Sequence, residues 1–151
     1  MLGTEDTATT GDGDRTVAAP IGGPITLGFP ARPEPVRLAR LVSAAVAGSV
    51  DATIDDIEDL RIAVGEACAI LVGHASPTGR VDITIEAGPD AIGFQAALVG
   101  GTRPDPQVDD LAQMVLESLA DDVELRVDDA GARLSFRWPV VSAGAVGAGG
   151  G

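Results

Sequence analysis

Ile25, Leu27 and Phe29 alternate with Thr26 and Gly28 and give way to Pro30, Pro33 and Pro35. A two-residue period closed by prolines predicts a half-buried strand. Pro35 suits the first position of a helix, and Val36, Leu38, Ala39, Leu41, Val42, Ala45 and Val46 form an apolar stripe ending at Gly48. A longer helix follows. Thr53 can cap it, and Asp55, Asp56, Glu58 and Asp59 crowd the first turns, where the helix dipole favours anions. Apolar positions then run from Ile57 to Ala75, short of Pro77. The second half, AVGEACAILVGHA, is apolar almost all round, so this helix is expected to lie between other elements.

Beyond the Pro77-Thr78-Gly79 turn, Val81, Ile83 and Ile85 alternate with Asp82, Thr84 and Glu86, and Gly88-Pro89-Asp90 leads into Ile92 to Val99. That pattern predicts an antiparallel hairpin. GGTRPDPQ, residues 100–107, reads as a loop, and a third helix spans about 108–119 with Leu111, Val115, Leu116 and Leu119 inward. A second hairpin joins residues 123–127 to 133–138 around Asp128-Asp129-Ala130-Gly131. Helices grouped in this order imply an α+β fold, a two-layer sandwich with a mainly antiparallel mixed sheet and three helices on one face. Residues 1–22 and 140–151 lack apolar periodicity and read as disordered tails around one folded domain, residues 23–139.

The composition narrows the chemistry. The chain of 151 residues carries 10 basic and 23 acidic side chains, a net charge of −13, and every basic residue is Arg. It has no Lys, Asn or Tyr, which excludes a Walker-type phosphate loop and a Schiff-base enzyme. The negative charge argues against direct binding of nucleic acid and suits a basic protein partner. One Cys cannot form an internal disulfide, and one His leaves a zinc site or a Ser-His-Asp triad poorly supported. No apolar run is long enough for a bilayer, so the chain reads as cytoplasmic with no membrane contact.

Glu66 stands four residues after Ile62 and four before Ile70, on one helical stripe. A carboxylate there either pairs with an Arg at the edge of the apolar face or serves chemistry. The run LRIAVGEACAILVGHA, residues 60–75, resembles the core helix of the bacterial anti-sigma-factor serine kinases, members of the wider Bergerat-type ATPase class. That family's pattern is Glu-Ala-Cys-x-Asn, three residues, then His-Ala. A second stretch, VLESLADDV at 115–123, resembles the helix end and Leu-x-Asp-Asp-Val turn near its C-terminus. The resemblance spans about residues 24–139.

In that family the Glu is the general base acting on a partner's serine, and the Asn holds the Mg²⁺ of ATP. Glu66 occupies the first position, but Ile70 stands at the second and offers no oxygen to a hard cation. The family's Asp-x-Gly-x-Gly turn under the adenine has its nearest counterpart at Asp90, with the wrong spacing for that role and the right one for a hairpin turn. The lid glycines fall at Asp110 and Ala112, and Asp109 with Asp110 would cap their own helix and repel a triphosphate. His74 reads as a helix-end cap, Cys68 as a small core residue, and Trp138 as the closure of the core edge.

The resemblance implies a regulator that sequesters an RNA polymerase sigma factor and is released by an anti-anti-sigma protein of the STAS type, with nucleotide binding lost and no cofactor. Asp55 and Asp59 on the long helix, with Arg37 and Arg40 on the first, are the candidate partner surface. One alternative is an active serine kinase that phosphorylates the STAS protein with Mg-ATP through Glu66. Another is a regulatory module that forms a homodimer through its sheet edge or first helix and binds neither sigma factor nor nucleotide.

Overall fold

The computed structural model describes residues 21–140. Most of both expected tails lies outside the described residues. Of the tail positions inside them, Ile21 and Val140 pack against the core, and the Val140 N–H donates to the Asp90 carbonyl at 2.9 Å.

Strand β1 (Ile25–Pro30) leads through the prolines to α1 (Val36–Ser49) and α2 (Ile54–His74). The hairpin β2 (Arg80–Ala87) and β3 (Ala91–Val99) precedes α3 (Asp110–Leu119), and the hairpin β4 (Asp121–Asp128) and β5 (Gly131–Pro139) ends the domain. The strands form one sheet in the order β1-β2-β3-β5-β4. Every neighbouring pair is antiparallel, so the expected mixed sheet is wholly antiparallel. The reason lies in the connections: helices enter in a pair between β1 and β2, which returns the chain in the opposite sense.

Register puts the large side chains on one face. Ile83 opposes Ala96, Ile85 opposes Phe94, and Phe94 opposes Phe136, whose ring stacks on it at a centroid distance of 4.7 Å. The other face carries the polar row Thr26, Thr84, Gln95, Ser135 and Glu124, which are cross-strand partners in that order. A one-residue slip would exchange the two faces, so burial of the first holds the register.

α2 occupies the middle of the helical layer, with α1 on one side, α3 on the other and the sheet beneath. Thr53 caps it as expected, its Oγ1 accepting the Asp56 N–H at 3.1 Å. Leu60, Ala63, Val64, Ala67, Cys68 and Leu71 are buried along it, and the alanines let its neighbours approach closely. The flanking helices bury narrower stripes than expected. On α1 the buried line is Val36, Ala39, Ser43, Val46 and Ala47, while Leu38 and Leu41 are 44% and 58% exposed. On α3 the buried line is Ala112 and Leu116, and Leu111, expected inward, is 68% exposed. Each outer helix touches its support along one side only, and Leu111 lies about 100° around the helix from Ala112. No helix among the described residues is long and apolar enough to cross a membrane.

These placements separate two leucines that share a chemistry. Leu71→Ala is expected to cost ~2–5 kcal/mol through lost burial and a cavity, and Leu111→Ala to stay within ~0.5 kcal/mol. Urea denaturation of both variants measures the difference; similar losses would contradict the assigned faces.

Candidate functional site

A cavity of about 550 Å³ opens on the side of α2 that the sheet and the neighbouring helices leave bare. Its floor is Gly65, Ala69, Val72 and Gly73, and the near absence of side chains at the two glycines and the alanine gives it depth. Pro33, Val36 and Arg40 wall one side. Arg103, Gln107, Val108 and Asp109, from the segment between β3 and α3, wall the other.

That segment is stitched to the end of α2 by backbone bonds. The Arg103 N–H donates to the His74 carbonyl at 2.8 Å, the Gln107 N–H to the Gly73 carbonyl at 2.9 Å, and the Ser76 N–H to the Gly101 carbonyl at 3.1 Å. Gly100 and Gly101 make the turn with φ of 85° and 138°, a region side-chain-bearing residues avoid. Gly73 is needed for a different reason, since a Cβ there would stand 2.5 Å from the Gln107 carbonyl oxygen.

The expected site residues divide. Glu66 is half-buried beside the cavity, in a smaller hollow of about 250 Å³ that it shares with Arg40, Arg61 and Gly65. It has no ion-pair partner within 4 Å among the described residues, so the expected Arg pairing is absent, and Arg61 pairs instead with Glu58 at 3.2 Å. Ile70 is buried in the core and does not line the cavity. Asp109 accepts the Ala112 N–H at 2.9 Å and so caps α3 itself; Asp110 is exposed in the first turn and Ala112 is buried. Asp90 sits in the β2–β3 turn, 3.6 Å from Arg137, and lines neither hollow. Asp55, Asp59 and Arg37 are exposed, and of the four candidate partner residues only Arg40 reaches the cavity.

Sequence reasoning missed Gly65, Ala69, Gly73, Arg103 and Gln107. The signal was present in the four-residue spacing of Gly65, Ala69 and Gly73 along α2, and in the Gly-Gly pair directly after β3. His74 is buried, and its Nδ1 lies 3.0 Å from the Ile70 carbonyl, which satisfies an acceptor of the final turn. Trp138 is 5% exposed and closes one end of the core. Cys68 is fully buried, and burial pushes its thiol up from 9.0 to about 12, slightly offset by the Arg40 charge.

The family described as "Histidine kinase-like ATPase domain" matches residues 29–138. The chain belongs to the histidine kinase-like ATPase family. The α+β arrangement of a five-stranded sheet and three helices is consistent with this family, and the matched span runs from the end of β1 to the last residues of β5. Among ATPase-family relatives, the serine-protein kinase RsbW of Bacillus licheniformis is 31% identical over 125 residues, 69% of this chain and 78% of that protein. RsbW of Bacillus velezensis is 51% identical over 51 residues, 34% of this chain and 32% of its own, and RsbW of Bacillus subtilis strain 168 is 49% identical over a stretch of the same length and coverage. Within the ATPase family the chain is therefore a member of the RsbW-like, anti-sigma-factor serine kinase group.

The buried thiol gives a check on the packing of α2 in this ATPase domain. A thiol pKa raised in the folded state favours the protonated form there, so stability is complete below the unfolded value of 9.0 and is lost as pH rises toward about 12. Cys68 is expected to resist a thiol reagent at pH 8 in the native protein and to react at once in denaturant. Equal rates in the two states would contradict its burial.

Proposed function

We propose that this domain acts as an anti-sigma regulator in the cytoplasm: it sequesters an RNA polymerase sigma factor, is released by a STAS anti-anti-sigma protein, and has lost nucleotide binding. The observation that carries the loss of nucleotide is Ile70. Mg²⁺ requires oxygen ligands, and this side chain has none and is buried in the core. Two further features point the same way. At the start of α3, Asp109 takes the Ala112 N–H for itself and leaves a negative charge where a triphosphate would need bare donors. Asp90, the nearest counterpart of the family's adenine-reading carboxylate, sits in the β2–β3 turn and does not line the cavity. The residues present therefore do not fit Mg-ATP, and no catalytic step is assigned to Glu66.

Partner binding is supported by charge and by exposed apolar surface. With a net charge of −13 the chain attracts a basic partner, and Asp55 and Asp59 project from the start of α2. Leu38 and Leu41 give α1 an apolar face for a partner or for a second copy of the chain. A second reading, an active serine kinase, is favoured by the serine-protein kinase relatives and by Glu66, which keeps the family position and is half-buried with no ion-pair partner among the described residues.

Calorimetric titration with Mg-ATP separates the two readings. The regulator is expected to give no dissociation constant below ~1 mM, an affinity of about −4 kcal/mol, and Glu66→Gln is expected to leave partner regulation intact. Measurable binding, or STAS phosphorylation abolished by Glu66→Gln, would establish the kinase.

A further prediction concerns the encounter with sigma. Charges beyond about 8 Å are screened at physiological salt, so association should slow as salt rises. Reversing Asp55 and Asp59 to Arg should lower the on-rate more than it raises the off-rate. If these acids serve only the helix dipole, the variant instead loses about 0.3–1 kcal/mol per site and its association is unaltered. Surface plasmon resonance across a salt series, beside thermal melts, distinguishes the outcomes.

A further inference from the structure

We infer that the cavity beside α2 is a binding site for a small organic monoanion, a carboxylate with a short apolar body, held by the guanidinium groups of Arg40 and Arg103. The inference rests on the reading that Mg-nucleotide does not use this cavity.

The arginines carry the argument. Arg61, Arg80, Arg126 and Arg137 each have a carboxylate partner within 4 Å. Arg32, Arg37, Arg40, Arg103 and Arg133 have none among the described residues, and of these five only Arg40 and Arg103 are not fully exposed to solvent. Both are half-buried and both line the same cavity. Holding two cations partly out of water without a counterion is costly, and an anion in the cavity would relieve that cost.

Their positions are built into the backbone. Gly65 leaves room for Arg40 to lie across α2, since a Cβ at that position would stand 2.7 Å from its Nη1. Arg103 is anchored by its own N–H on the His74 carbonyl. Val36, Ala69 and Val72 supply apolar wall, and about 550 Å³ falls within the range of small-molecule sites. The cavity's carboxylate, Asp109, is committed to the Ala112 N–H.

Charge selects the ligand class. A guanidinium fork matches the planar carboxylate with two parallel bonds. A ligand of higher negative charge would meet Asp109 at the rim and the field of a chain at −13, with no metal ligand at Ile70 to neutralise it.

The test is a titration of the full ¹⁵N-labelled chain with hexanoate, followed by amide chemical shifts, with hexanol, hexyl phosphate and Mg-ATP in parallel. Hexanoate is expected to give saturable shifts centred on residues 65–73 and 103–109, with hexanol and hexyl phosphate binding at least ~10-fold more weakly, about 1.4 kcal/mol. Arg103→Gln and Arg40→Gln should each weaken hexanoate by a similar factor. Gly65→Ala should do so as well while preserving the fold, because alanine favours the helix and only the flexible end of Arg40 must move. Thermal melts confirm that each variant folds. Absence of saturation by hexanoate, equal binding of hexanol, tighter binding of hexyl phosphate, or indifference to all three substitutions would overturn the proposal. Its failure with Mg-ATP silent leaves the lost-nucleotide reading standing, whereas Mg-ATP saturating below ~1 mM contradicts that reading and removes the premise of the proposal.

Discussion

The molecule depends on α2 being covered on three sides. Leu60, Ala63, Val64, Ala67 and Leu71 are fully or almost fully buried, because the sheet, α1 and α3 all converge on one helix. A helix covered in this way has one free face, and here Gly65, Ala69 and Gly73 occupy it. The same constraint thus produces the core and the cavity. Bulky residues at those three positions would fill the hollow, and at Gly73 would also push away the segment that walls it.

That dependence explains how the RsbW-like fold persists while the site's chemistry differs from the pattern its family resemblance implies. Packing asks only that position 70 be apolar or satisfied, and Ile70 meets that demand by joining the core. The start of α3 asks for a cap, and Asp109 provides one from within the chain. Each choice stabilises a local element, and on the function proposed above each also removes a group that Mg-nucleotide would need. The cavity is lined instead by two arginines, Gln107, the capping Asp109 and apolar wall.

Much of the fold was legible because its signals are local. Alternation in β2, β3 and β5, the Thr53 cap and the prolines after β1 each act within a few residues, and the elements fall where these features place them. Leu111, expected inward, and Leu38 and Leu41, on the apolar stripe of α1, are exposed because hydrophobicity reports what a residue tolerates, whereas the side a helix presents depends on how many neighbours it has. The cavity was hidden for a related reason. Arg40 and Arg103 are 63 positions apart in the sequence, and only the backbone bonds from the β3–α3 segment to the end of α2 bring them to one hollow. Asp90 illustrates the converse: a motif-like Asp that the topology assigns to the β2–β3 turn, outside both hollows.

We propose that partner binding has been separated from nucleotide. A ligand can shift an affinity only if it binds the two states differently, so a chain without a nucleotide site must hold its partner equally well with or without one. The direct measurement is the dissociation constant of the chain for its host's sigma factor at 0 and 5 mM Mg-ATP, ~5 mM being chosen to exceed the millimolar affinity limit. Tight binding with the same constant in both conditions is expected; a constant that tightens several-fold with Mg-ATP would overturn the separation.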